Sequence, residues 1–265
     1  MISCSSFAPN SPHSITIVKL SPPTSKNNMN NNNNNNNTHG SSTDPAKPLI
    51  FVLTLGDEQA QITFQDSHAR FLNELFERAT VWHAKSAEKA FSLFTQCSEP
   101  HAVFVSDGGI ARPKCEIISQ RLVQYAANGG IVVFGGSFAA SSPQSLEKIV
   151  RQTWDLPWEF RSVHRTMVSL NSDAVSGTLL DKLSASYTQK ALYIRGMEPC
   201  EAWYLPTEPP VMEGWVPVLR PAVDSNDSPM VFAGYGAGHI GLVGDVQPED
   251  GTIVAMLAML GLLDD

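Results

Sequence analysis

Short apolar runs typical of buried strands alternate along the chain with stretches in which apolar residues recur at helical spacing. The strand-like runs cover residues 49–55, 80–82, 101–105 and 131–134. Apolar residues three and four places apart predict helices over 71–76, 87–94 and 113–127. Strand and helix in regular alternation with short connections predict an α/β fold with a parallel sheet and helices on both faces.

The second half of the chain has a less regular pattern. It predicts helices over 145–154 and around 179–183, strands over 159–170 and 191–194, a glycine-rich hairpin over 230–243 and a closing helix that starts at 248–250. Residues 198–227 hold many prolines and two tryptophans. That composition is typical of a long surface insertion or lid.

The first 47 residues differ in composition from the rest of the chain. They are rich in Ser, Pro and Asn and include eight consecutive asparagines, Asn30 to Asn37. Such a segment cannot bury enough apolar surface to offset the entropy lost on ordering. The sequence therefore predicts a disordered tail over 1–47 and one folded domain over 48–265.

The net charge and the cysteines exclude some kinds of binding partner and of cysteine-based site. The net charge of −8 argues against a nucleic-acid partner and against an anionic membrane surface. Four cysteines without a Cys-x-x-Cys pair argue against a zinc ribbon or a disulfide framework. The first twenty residues lack arginine and a long apolar core, so no targeting segment is predicted. We expect a cytoplasmic protein that uses no cofactor, and homodimer formation stays open.

The stretch from Asn128 to Ser142, NGGIVVFGGSFAASS, holds the main candidate chemistry. Its strand ends in Gly135-Gly136-Ser137-Phe138-Ala139, in which small residues stand two places either side of a hydroxyl. This spacing is that of a nucleophile elbow, a sharp strand-to-helix turn that carries the nucleophile. The alternative is an ordinary turn in which Ser137 caps the next helix.

A second glycine-rich turn, Asp107-Gly108-Gly109, follows the predicted strand over 101–105. Ligands of parallel α/β sheets bind outside the carboxyl ends of the strands, and both turns are predicted at that edge. Their bare backbone N–H groups would face one cleft. The predicted ligand-binding residues here are Asp107, Gly108, Gly109, Gly135, Gly136 and Phe138, with Ser137 as the candidate catalytic residue.

The order of elements, the glycine turns and the closing sequence YGAGHIGLVGDVQPEDGTIVAMLAML resemble the class I glutamine amidotransferase-like superfamily, and most of all its ThuA-like branch. The resemblance spans residues 48–263 and implies a three-layer, flavodoxin-like fold with a mostly parallel sheet. It places the family's oxyanion-type turn on Gly108 and Gly109 and its nucleophilic cysteine on Ser137. In ThuA-like proteins a histidine often stands there, and a shift of one residue would place it on Gly136.

The resemblance places the family's catalytic histidine near Gly244-Asp245, which adds Asp245 to the predicted ligand-binding residues. Both catalytic positions are thus replaced. A serine hydroxyl is hardly ionised at neutral pH without a base, and a carboxylate of ordinary pKa is a weak base there. His239 lies at the start of the same predicted strand, about 20 Å from the catalytic edge, which argues against a Ser137–His239 pair.

Three functions stay open at this point. The first is a non-catalytic amidotransferase-like domain that binds a small polar ligand or a partner in the cleft. The second is a serine hydrolase that uses Ser137, although no histidine follows His239 as an α/β-hydrolase would require. The third is a ThuA-like sugar-metabolism protein.

The remaining titratable residues give weaker evidence for a metal site or a catalytic role. Asp107, Asp245 and Glu249 are oxygen ligands of the kind that hard cations prefer, but carboxylates at strand ends are usually solvated, and no metal site is predicted. Cys115 falls on the inward face of a helix and is expected in the core. His68 and His83 have no clear partners and are expected at the surface or half-buried.

Overall fold

The computed structural model describes residues 46–175, 177–207, 224 and 226–263. These residues form one nine-stranded sheet. Its strands are β1 (Leu49–Leu53), β2 (Thr80–Ala84), β3 (Ala102–Val105), β4 (Ile131–Phe134), β5 (Glu159–Leu170), β6 (Ser186–Arg195), β7 (Ala202–Pro206), β8 (Met230–Tyr235) and β9 (Gly238–Val243). The α-helices are α1 (Glu58–Ser67), α2 (Ala69–Arg78), α3 (Ala87–Gln96), α4 (Glu116–Ala127), α5 (Pro143–Glu147), α6 (Leu179–Lys182) and α7 (Asp250–Met259).

The sheet has two halves with different strand pairing. Its order is β2-β1-β3-β4-β9-β8-β7-β5-β6. The first five strands pair in parallel and form the parallel half. From β9 onward each pair is antiparallel, and β8, β7, β5 and β6 form the antiparallel half. The predicted α/β fold is confirmed.

Both faces of the parallel half are covered by apolar side chains. In β1, Phe51 and Leu53 contribute to one hydrophobic cluster, while Ile50 and Val52 contribute to the other. All four side chains are fully buried. A strand covered on both faces needs apolar residues at every position, which explains the continuous runs in the sequence.

The closing helix α7 is apolar on all sides because it lies inside the second cluster. Buried residues follow one another along it: Ile253, Ala255, Met256, Leu257, Ala258 and Met259. It packs against β4, β9 and α2. Its start at Asp250, two residues after Pro248, agrees with the prediction.

The sequence analysis did not predict α1. Asp57 caps this helix, since its carboxylate accepts a hydrogen bond from the Ala60 N–H at 2.9 Å. Among the ten residues of α1, Phe64 alone is buried. A single buried position leaves no apolar period to detect.

The predicted insertion over 198–227 is wrong at its beginning, where β7 places Trp203 and Tyr204 in the core. Residues 208–223 and 225 lie outside the described residues, as does the predicted tail apart from 46 and 47. The predicted helix over 145–154 divides into α5 and a π-helical turn, Lys148–Thr153.

Candidate functional site

The sharp turn at the end of β4 is centred on Gly136. Gly136 has φ of +61°, in the left-handed region, whereas Ser137 has φ of −80°. A Cβ atom on Gly136 would lie 2.9 Å from a ring carbon of Phe64 and 3.0 Å from the carbonyl oxygen of Ser106. The position that corresponds to the point of a nucleophile elbow therefore carries no side chain and has no room for one.

Ser137 begins the next segment of chain without a capping hydrogen bond from its side chain. Its side chain is half-buried and makes no hydrogen bond with the described residues. The chain continues through a 3₁₀ turn, Phe138–Ala140, into α5. Ser142 caps that helix, since its hydroxyl accepts a hydrogen bond from the Ser145 N–H at 3.2 Å. Ser137 thus stands at the N-cap position of the 3₁₀ turn, as the alternative interpretation has it, but its side chain makes no capping hydrogen bond.

The aromatic and glycine residues around Ser137 pack closely against the core. Phe138 is fully buried, and its ring centroid lies 4.7 Å from that of Phe134. A Cβ atom on Gly135 would lie 2.9 Å from the Phe104 ring. Phe104 of β3 and Phe134 of β4 therefore pack against the turn and leave little space there.

The turn after β3 is also closed by its own chain. Asp107 Oδ1 accepts a hydrogen bond from the Gly109 N–H at 2.7 Å. A Cβ atom on Gly108 would lie 2.2 Å from Ser141 Oγ, and one on Gly109 would lie 2.2 Å from the Leu55 backbone. The structure thus brings this turn against both the end of β1 and the segment that follows Ser137.

Asp107 has one carboxylate oxygen that the turn does not use. The side chain is buried, and its Oδ2 has no hydrogen-bond partner among the described residues. Burial raises the pKa of this carboxyl, and the hydrogen bond from Gly109 opposes the rise. Oδ2 lies at the carboxyl edge of the parallel half, and the Gly56 and Leu55 backbone N–H groups also oppose the rise in pKa.

Asp245, at the end of β9, is held by the start of α7. Thr252 Oγ1 donates a hydrogen bond to Asp245 Oδ2, and the Gln247 N–H donates to Oδ1 at 2.9 Å. Only 1% of the residue is exposed, and burial raises the pKa of its carboxyl to about 6. The hydrogen bond from Thr252 opposes that rise.

Buried and half-buried polar side chains lie around this carboxylate. We call Asp245, Thr252, Tyr187 and Gln189 the Asp245 cluster. Tyr187 OH lies 3.1 Å from Thr252 Oγ1, which lies 3.4 Å from Gln189 Oε1. Tyr187 and Gln189 come from β6, in the antiparallel half. Sequence reasoning missed this cluster; the single usable signal was a threonine in an otherwise apolar helix.

His239 lies at the start of β9, as the sequence predicted. It stands opposite Ile131, the first residue of β4, at the edge of the sheet away from the glycine turns. Its ring stacks on Phe232 with centroids 5.0 Å apart.

Two histidines are placed differently from the prediction. His68 is 2% exposed, neither ring nitrogen has a partner among the described residues, and burial lowers its pKa to about 4. His83 Nε2 lies 2.8 Å from Thr54 Oγ1, and burial lowers its pKa to about 4. The expectation is wrong on one point for each residue: His68 has no partner in the described part of the chain but is buried, and His83 is half-buried as expected but has a partner in Thr54.

The described residues contain no group of three or more His, Cys, Asp or Glu side chains arranged to hold a metal ion. Over the same part of the chain, every helix is too short or too polar to cross a bilayer. Cys115 is buried, as predicted.

Comparison with solved structures identifies the fold. A ThuA-like protein from Bacteroides uniformis superposes with a TM-score of 0.51 at 13% identity, over 84% of this chain and 94% of that one. A second, from Parabacteroides merdae, gives 0.52 at 11% identity, over 83% and 92%. The chain has a ThuA-like fold.

The ThuA-like fold also recurs as part of a larger protein. A β-galactosidase from Halorubrum lacusprofundi matches with a TM-score of 0.50 at 16% identity, over 82% of this chain and 31% of that one. Protein-family profiles gave no match. Curated protein sequences gave none either. At these identities the likeness concerns the fold alone.

Proposed function

We propose that this chain is a non-catalytic, amidotransferase-like protein with a ThuA-like fold, which lacks glutaminase activity and acts by binding. The observation that carries the proposal is the turn after β4. Its sharpest residue is Gly136, and the Phe64 ring stands where a nucleophilic side chain would be. The turn therefore has no room for a nucleophilic side chain at Gly136, where the shifted alignment places the family's nucleophile, and in the unshifted alignment that position is Ser137, which lacks a base.

The second catalytic position supports the same proposal. Asp245 stands near the place of the family's histidine, but its oxygens accept hydrogen bonds from Thr252 and the Gln247 backbone. A general base must reach the proton that it abstracts, and this carboxylate is directed at the start of α7 instead.

The proposed ligand is small and polar, or is a polar group of a protein partner, and it binds at the carboxyl edge of the parallel half. The proposed site includes Asp107, Gly108, Gly109, Gly135, Gly136, Phe138 and Asp245. The buried Asp107 Oδ2 has no partner among the described residues. This oxygen is covered and lies near the Gly56 and Leu55 backbone, so a ligand group that donates a hydrogen bond, such as an amide or a hydroxyl, would reach it only after the turn moves.

We also propose the three-layer, flavodoxin-like arrangement for residues 48–265, with residues 1–47 as a separate tail. The order of the five parallel strands, β2-β1-β3-β4-β9, supports it because doubly wound sheets of this type have the order 2-1-3-4-5.

A sugar-metabolism role is the second candidate, favoured by the two ThuA-like structures. Sugar hydroxyls are hydrogen-bond donors that would suit Asp107 Oδ2. Titration with neutral hexoses, with Asp107→Asn as the comparison variant, tests it. Saturable hexose binding that the variant weakens would promote this candidate, and binding that the variant leaves unchanged would reject the Asp107 site.

The proposal is tested by a glutaminase assay combined with a glutamine-like electrophile that traps thiolates. We expect no ammonia release above the level without protein, while an active amidotransferase in parallel confirms the assay. Mass spectrometry should find no stoichiometric adduct on Cys4, Cys97, Cys115 or Cys200. Turnover of glutamine, or complete labelling of one of these cysteines, would overturn the proposal.

A further inference from the structure

A groove lies between α2 and the strands β1 and β2, away from the two glycine turns. It is open to solvent and has a volume of about 220 Å³. Leu72, Phe76 and Val81 form much of its apolar wall, and Gln65, Asn73 and His83 are its polar lining residues. An apolar pocket with a few polar groups is the usual form of a small-molecule site, and this one is smaller than the 300–1,000 Å³ typical of drug-sized ligands.

The imidazole in this groove is positioned by a chain of hydrogen bonds across three strand ends. Ser106 Oγ donates to Thr54 Oγ1 at 2.8 Å, and Thr54 Oγ1 lies 2.8 Å from His83 Nε2. Thr54 and Ser106 are both fully buried. Ser106 Oγ also lies 3.1 Å from the Leu53 carbonyl oxygen, which competes for the same hydroxyl proton. When Ser106 donates to Thr54, the Thr54 proton is directed at His83 Nε2, and the imidazole proton then lies on Nδ1.

The groove presents hydrogen-bonding groups without charge. Burial lowers the pKa of His83 to about 4, so the ring is neutral at physiological pH. The side chains of Gln65 and Asn73 are uncharged, and in the described part of the chain neither they nor His83 Nδ1 have a hydrogen-bond partner. An uncharged lining does not offset the cost of removing a charged ligand from water.

We propose that this groove is a binding site for a small, neutral, planar molecule with a hydrogen-bond acceptor, of the aromatic amide class. The ring would lie against Leu72, Phe76 and Val81, and the carbonyl oxygen would accept the proton of His83 Nδ1. Thr54 and Ser106 are positioning residues that hold the imidazole in this tautomer.

No residue of either glycine turn lines the groove, although Ser106 precedes Asp107 and its carbonyl faces Gly136. Benzamide binding is measured independently of glutaminase activity, so either proposal can fail alone.

The test uses the full chain with its histidine rings labelled with ¹⁵N, and benzamide as the probe. We expect saturable shifts of the His83 ring nitrogens with a dissociation constant in the millimolar range, as suits a ligand of this size. Benzoate and benzylammonium should bind at least tenfold more weakly. The absence of a saturable shift at His83, or equal binding of benzoate, would overturn the proposal.

Two exposed substitutions locate the site. Ala69 lines the groove at the start of α2, so Ala69→Trp should fill it and weaken benzamide binding at least tenfold. Gln59→Trp, on an exposed position of α1 outside the groove, is the matched control and should change binding less than twofold. Equal weakening by both variants, or none by Ala69→Trp, would place benzamide elsewhere and contradict the inference.

Discussion

The ends of β4 and β9 are neighbours at one edge of the sheet, and they are closed in different ways. At the end of β4 the turn is filled by packing, with Phe64 and Ser106 against Gly136. At the end of β9 a carboxylate is buried and held by hydrogen bonds from Thr252 and Gln247. The stability that packing contributes does not depend on pH, whereas the stability contributed by a buried carboxyl group depends on its protonation. The two strand ends should therefore respond to different perturbations.

The largest effect is expected from a side chain at the end of β4. Gly136→Ala adds a Cβ atom at a left-handed φ and against both Phe64 and the Ser106 carbonyl, which should lower the free energy of unfolding by about 3 kcal/mol. Urea unfolding measures this loss. Gly234→Ala is the control, because its Cβ would meet no atom within 4 Å, and it should cost below about 1 kcal/mol. Similar losses in the two variants would show that packing does not close the turn.

The end of β9 should instead give a pH-dependent contribution. The Asp245 carboxyl has a pKa of about 6 in the folded protein, against about 3.9 in an unfolded chain. The folded state binds this proton more tightly, so the contribution to stability is fully present below about pH 4 and is lost as pH rises through 6. The full contribution is about 3 kcal/mol, of which about 2 kcal/mol is lost between pH 4 and pH 7.

Asp245→Asn isolates this contribution, because other groups titrate alike in both proteins. The stability of the native protein relative to Asp245→Asn should fall by about 2 kcal/mol between pH 4 and pH 7, measured by urea unfolding at each pH. A difference that stays constant over this range would show that the carboxyl is not perturbed by burial.

A smaller effect is expected from the hydroxyl that holds the carboxylate. At pH 8, where Asp245 is ionised, Thr252→Val removes a hydrogen bond to a charged group and should cost about 1.5 kcal/mol. Thr166→Val is the matched control, since its buried hydroxyl faces the uncharged Tyr193 hydroxyl and its loss should cost below about 1 kcal/mol. If the control lost as much as Thr252→Val, the Asp245 cluster would have no special role.

The two strand ends also differ in how much of them could be predicted. The end of β4 was predicted because a continuous apolar run and two glycines are local signals of a buried strand and a tight turn. Phe64, which fills that turn, was missed because α1 has one buried residue. The Asp245 cluster depends on pairing between β6 and the end of β9, and residues such as Tyr187 and Gln189 carry no local sign of burial. Long-range antiparallel pairing of this kind leaves no periodic pattern in the sequence.

The central claim is that the turn after β4 presents no working nucleophile, and Ser137 is the residue that could contradict it. Ser137 makes no side-chain hydrogen bond with the described residues, so nothing there activates its hydroxyl. Labelling of the full chain with a fluorophosphonate, followed by peptide mass spectrometry, tests this directly. The account predicts no adduct at Ser137. A covalent adduct on Ser137 that disappears in Ser137→Ala would contradict the claim and establish the serine-hydrolase alternative.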